Sequence, residues 1–160
     1  MDDEPIAYFI TWTVYGTFLQ GDARWWRSRD EGERAPQPLL EQWHRDRLNH
    51  EIILLDEKHR SSVSIAIQNH CNHRGWVFHA SNPRTNHVHV VVGADGYDGK
   101  KVRDQLKANA TGTLRREFPE FKDRPVWTTG GDWKCINSDD DLDQAILYVG
   151  EVQDRMGRGK

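Results

Sequence analysis

Long apolar runs are missing from this 160-residue chain. Nowhere do hydrophobic residues approach the roughly 18 in a row that can cross a bilayer. Basic residues are missing from the start, where Met1-Asp2-Asp3-Glu4-Pro5 is acidic and a secretory leader would be positive. A soluble, cytoplasmic protein is the expectation. Cysteine is scarce: Cys71 and Cys135 stand far apart with no secretory signal, so free buried thiols are expected rather than a bridge. Charge of one sign is absent as well. With 22 Lys and Arg against 25 Asp and Glu, the net charge is −3, which excludes a protein coated in nucleic acid by bulk electrostatics. Any such partner must be gripped locally. There are no internal repeats.

Seven tryptophans supply large surfaces to bury, and the length suits one ordinary domain spanning 1–160. The most informative stretch is Thr85-Asn86-His87-Val88-His89-Val90-Val91-Val92. Side chains alternate across a strand, so His87, His89 and Val91 share one face while Val88, Val90 and Val92 share the other. The valine face can pack a core. Two neutral imidazoles on adjacent same-face positions suit a divalent cation better than a core, where each ring would need its own partner. A histidine-triad hydrolase would carry a third histidine at the next same-face position, which here is Val91.

Tyr8 to Tyr15, rich in aromatic and β-branched residues and followed by Gly16, reads as a central strand. Arg24-Trp25-Trp26-Arg27 interleaves arginine with tryptophan. Such a cluster either stacks an unpaired base and holds its phosphate or anchors a long loop on the core. A helix is expected from Asp56, as N-cap, to Arg74, with Gly75 as its stop. Its end, His70-Cys71-Asn72-His73, lacks a second ligand pair at zinc spacing and is better read as cationic side chains near a helix C-terminus. Trp76 to Ala80, a turn at Asn82-Pro83 and Asn86 to Val92 form a hairpin.

A further helix is expected over Lys100 to Phe118, with Val102, Leu106, Ala110, Thr113 and Leu114 inward. It carries Lys100, Lys101, Arg103, Lys107, Arg115 and Arg116 against only Asp104 and Glu117, an excess that favours phosphate contact. Val126 to Ile136 reads as a short hairpin or a strand with a turn. Ser138 then caps a last helix running to about Asp154, with Leu142, Ala145, Ile146, Val149 and Val152 as one apolar stripe and Tyr148 at its edge. On its own Tyr148 reads as a boundary core residue. The order strand, helix, strand, strand, helix, strand, helix fits a ferredoxin-like α+β sandwich, an antiparallel sheet with helices mainly on one face.

Asn86-His87-Val88-His89 followed by valines, with a tyrosine on the last helix in Tyr148-Val149-Gly150-Glu151-Val152-Gln153, resembles the single-tyrosine HUH transposases of bacterial insertion sequences and their REP-associated relatives. The resemblance extends to Thr11-Trp12, Tyr15-Gly16-Thr17, the helix bearing Lys107 and Trp127 before the last helix. It implies nicking and joining of single-stranded or hairpin DNA by a homodimer. His87 and His89 would bind Mg²⁺ or Mn²⁺, and Tyr148 would attack the scissile phosphate to leave a 5′-phosphotyrosine. It also implies a third ligand four residues after the tyrosine, where this chain has Val152. Gln153, reached through a local helix distortion, is the first expectation there and Glu151 the second. Two other classes are kept open: a non-catalytic binder of DNA or RNA hairpins, and a metal-dependent phosphodiesterase using water, with His73 or His79 completing its site.

Overall fold

The computed structural model describes residues 4–17 and 49–152. Its first strand, β1 (Ala7–Thr13), is where the aromatic and β-branched run lies. Helix α1 (Glu57–Arg74) starts at Asp56, whose carboxylate accepts the His59 N–H at 2.9 Å. His59 Nδ1 accepts the Asp56 N–H at 3.1 Å in return, a capping box with histidine where Glu or Gln is usual. Gly75 ends the helix with φ 74°, a left-handed conformation that costs a Cβ-free residue nothing.

Strands β2 (Val77–Pro83) and β3 (His87–Gly93) follow. The turn falls later than Asn82-Pro83: β2 runs through both residues and the chain reverses over Arg84, Thr85 and Asn86, closed by Arg84 N–H donating to His87 O at 2.7 Å. Pro83 is tolerated because β2 lies at a sheet edge, where a missing N–H leaves no ladder bond unmade. Helix α2 (Gly99–Glu117) is capped by Asp98 and buries Val102, Leu106, Ala110, Thr113 and Leu114, all five expected inward. A short 3₁₀ turn (Pro119–Phe121) leads toward β4 (Asp132–Ile136). Between this turn and β4, Trp127 bridges Val14 and, among the described residues, no second strand pairs with β4 from this segment, so there is a strand preceded by a turn and no hairpin. Helix α3 (Asp139–Leu147), capped by the Ser138 side chain, continues directly as a π turn over Tyr148–Val152; the expected end near Asp154 lies outside the described residues.

The strands form one antiparallel sheet in the order β2-β3-β1-β4. Alternation divides it as the sequence requires. Val88, Val90 and Val92, with Ile10, Trp12 and Val14, pack under α1 and α2 in the larger core, which includes Val63, Ile67, Leu106 and Leu114. Ala7, Val91, Ile136 and Val149 form a smaller cluster on the other face, with Leu142, Ala145 and Ile146 of α3 against it. This is the ferredoxin-like α+β sandwich, two long helices on one face and a short third on the other. Both cysteines are free; Cys71 is buried, and burial pushes its thiol up to about 11, but Cys135 is exposed rather than buried. Among the described residues no helix is long and apolar enough to cross a membrane.

Candidate active site

Strand β3 aims His87 and His89 at the α3 face, the side opposite the valines. Their ring centroids lie 4.7 Å apart, and both residues are almost fully buried. Each ring is oriented through its Nδ1. Asn86 Oδ1 accepts from His87 Nδ1 at 2.6 Å, which fixes the tautomer and puts the lone pair of a neutral ring on Nε2. His89 Nδ1 and Thr11 Oγ1 are 3.0 Å apart, Thr11 being the residue directly across from His89 in the β1–β3 ladder. Metal-binding imidazoles characteristically have their other nitrogen held in this way. Two such rings fit a borderline divalent cation, although among the described residues no cluster of three or more His, Cys, Asp or Glu forms. Remaining coordination positions would fall to water, to phosphate oxygens or to a side chain beyond the π turn.

Tyr148 comes from the far end of the chain and meets the same histidine. Its ring centroid is 5.8 Å from that of His89 and 6.1 Å from Phe9, and Phe9 in turn lies 5.5 Å from His89. Asn82 of β2, opposite His89 across the β2–β3 ladder, donates its amide to Val149 O at 2.9 Å and pins the turn beside the tyrosine. The π turn widens the helix at the tyrosine: i→i+5 spacing replaces i→i+4, a feature frequent at functional sites. Gln153 and the Glu151 side chain lie outside the described residues, as do Arg24, Trp25, Trp26 and Arg27.

Of the other candidates, Lys100, Lys101, Arg103 and Lys107 are all on α2 and so pack with the valine face, away from the histidines. Lys100 and Lys101 are exposed. Arg103 and Lys107 turn instead to the segment before β4: Arg103 Nη1 donates to Gly131 O at 2.9 Å, and Lys107 Nζ donates to Thr128 O at 2.9 Å and Gly130 O at 2.6 Å. Burial, with the Arg103 charge acting the same way, lowers the Lys107 ammonium to about 8. Gly131 must be glycine there, because a Cβ would sit 2.8 Å from Thr11 O at a φ of 125°. His79 lies at a β-bulge beside Gly93, at the opposite end of β3 from His87, and His73 is in the last turn of α1, so neither completes a set with His87 and His89.

Sequence reasoning missed Asn82 and gave Thr11 no role. A polar residue between Ile10 and Trp12 in an apolar strand was the available signal for Thr11; its partner depends on strand order. Asn82 looked like a turn residue because it precedes proline.

A comparison with curated proteins returns no match. Among solved structures, a candidate transposase from Deinococcus radiodurans R1 is similar over 91% of this chain and 89% of its own, with TM-score 0.54 and 12% identity. A REP-associated tyrosine transposase bound to a REP hairpin is similar over 98% of this chain and 72% of its own, with TM-score 0.53 and 14% identity. At those identities both likenesses speak for the fold. The family described as "Transposase IS200 like" matches residues 48–146, more than half of the chain, ending two positions before Tyr148. On that match, the chain belongs to the IS200-like transposase family.

Proposed function

We propose that this transposase is a metal-dependent endonuclease and strand transferase acting on single-stranded DNA through a 5′-phosphotyrosine at Tyr148. The observation that carries the reading is the meeting of Tyr148 with His89 on one face of the sheet within one chain. In this reading His87 and His89 hold a divalent cation, with Gln153 or Glu151 as the third protein ligand. When bound, the cation polarises the scissile phosphate and offsets its developing charge. Mn²⁺ suits two imidazoles by ligand hardness, and Mg²⁺ by supply. Tyr148 Oη forms a bond to phosphorus as the P–O3′ bond breaks; the phenol gives up its proton, and the departing 3′-oxygen takes one up. The new phosphodiester keeps the energy of the old one, so attack by another 3′-hydroxyl rejoins DNA without ATP.

Asn86 and Thr11 hold the imidazoles in orientation, and Asn82 holds the turn that carries the nucleophile. Both histidine rings are closed off from solvent, so a strand must lift the π turn to reach them. Helix α3, which buries none of its own residues, is suited to that movement. Lys100, Lys101 and the Arg24, Trp25, Trp26, Arg27 cluster are proposed contacts for backbone phosphates and unpaired bases. The hairpin bound by the REP-associated relative supports a DNA partner. A homodimer belongs to the reading as well; each subunit would bring a tyrosine and histidine pair of its own.

The test is a denaturing gel of the protein with end-labelled single-stranded DNA and Mn²⁺. A retarded, protease-sensitive band carrying the label downstream of the nick is expected, lost in Tyr148→Phe and on chelation. The same band from Tyr148→Phe, or no band from the native protein under any metal, leaves a non-catalytic hairpin binder as the better account.

A further inference from the structure

A shallow depression of about 370 Å³, open to solvent and called the cavity below, lies on the other face of the molecule, between α2 and the segment that precedes β4. That is within the size range of small-molecule sites. Its wall includes Lys107, Ala108, Thr111 and Arg115 from α2, facing Trp127 and Thr128. Two of the three Lys107 N–H donors go to the Thr128 and Gly130 carbonyls, and the remaining one belongs to a group that lines the cavity. Asp104, also on the wall, is engaged by Lys100 at 3.2 Å and Arg103 at 2.9 Å. Among the described residues no carboxylate pairs with Lys107 or Arg115. The cavity therefore presents two cations, Arg115 with one N–H already given to Arg124 O at 2.8 Å, beside hydroxyls and the small exposed part of the mostly buried Trp127 indole, a set that complements a phosphate joined to a planar base.

The cavity is also close in bonding terms to the histidines. The single proton of Thr128 Oγ1 is within reach of Val14 O at 3.1 Å and Thr17 O at 3.3 Å. Val14 N–H and Thr17 Oγ1 both donate to Asn86 O, at 2.9 and 3.2 Å, and Asn86 orients His87. Among the described residues, the turn at the end of β1 links the two places through these bonds. We propose that this cavity binds one unpaired nucleotide of the DNA strand, with its phosphate against Lys107 and Arg115, while a neighbouring part of the strand passes around the end of β1 to the histidine face. The identity of the ligand rests on the nuclease reading above; the cavity does not.

The test uses Tyr148→Phe protein without divalent metal, so that binding is read apart from chemistry, and a labelled single-stranded oligonucleotide as probe. Ala108→Phe fills the cavity without removing a bond, and its melting temperature shows whether the fold survives. Its affinity is expected to fall by about tenfold, the scale of one lost base contact. Arg115→Gln is expected to flatten the dependence of log affinity on log salt by about 0.7, the contribution of one phosphate contact. Folded Ala108→Phe and Arg115→Gln proteins that bind as tightly as their parent, with the same salt dependence, overturn the proposal. If the native protein forms no covalent adduct while Ala108→Phe still weakens binding, the nuclease reading fails and the cavity assignment stands.

Discussion

The two faces of β3 are built from adjacent residues and do different work. Toward α1 and α2, Val88, Val90 and Val92 are fully buried among aliphatic and aromatic side chains, and nothing there requires a particular partner. Toward α3, His87 and His89 are buried just as deeply, but a ring nitrogen taken from water calls for a partner, and Asn86 and Thr11 supply one to each Nδ1. The covering helices differ in the same way. Helices α1 and α2 span 18 and 19 residues and bury apolar rows, whereas α3 has nine residues, buries none of them and relaxes into a π turn at the tyrosine. Stability resides on one side of the sheet, and the proposed chemistry on the side held by the fewest apolar contacts.

Substitutions on the two sides should separate these properties. His89→Ala is expected to lower DNA cleavage by about 10³-fold, the scale of losing cation stabilisation of the transition state, while unfolding stays cooperative. Mixing it with Tyr148→Phe should not restore cleavage if each chain carries a complete site; recovery in the mixture would show sites shared between subunits. Leu106→Ala, on the valine side, should cost about 2–5 kcal/mol in denaturant unfolding and leave the cleavage rate per folded molecule unchanged.

Asn82→Ala releases the Val149 carbonyl and should lower cleavage by roughly tenfold, through misplacement of the nucleophile, with a small shift in melting temperature. The smallest effect belongs to the α1 cap. The His59 backbone N–H holds the Asp56 carboxyl below its usual range, and the His59 ring does the same for Glu120 at 2.8 Å. Both folded values are depressed, so their contribution is complete above the ordinary carboxylate range and is lost as pH falls through the folded values. Asp56→Asn should flatten the acid side of a melting-temperature profile without changing cleavage.

Most of the valine side was legible in the sequence, because apolar spacing is a local signal: Val102, Leu106, Ala110 and Leu114 recur at helical period, and Asp56 and Gly75 mark the two ends of α1. The histidine side was legible only in part. Alternation gave the shared face of His87 and His89, but Thr11 and Asn82 reach His89 and the tyrosine turn through cross-strand pairing 78 residues and through a contact 67 residues apart, which no local pattern encodes. The basic residues of α2 show what a charge count leaves out. It marks the cations but not their protein partners, and packing gives Arg103 and Lys107 backbone carbonyls of the segment before β4.

The most direct test is to digest the covalent protein–DNA adduct and locate the modified residue by mass spectrometry. The account predicts a 5′-phosphonucleotide on the peptide containing Tyr148 and on no other tyrosine peptide. The same mass on Tyr8, Tyr15 or Tyr97, or a nicked strand that leaves no mass on the protein, would contradict it.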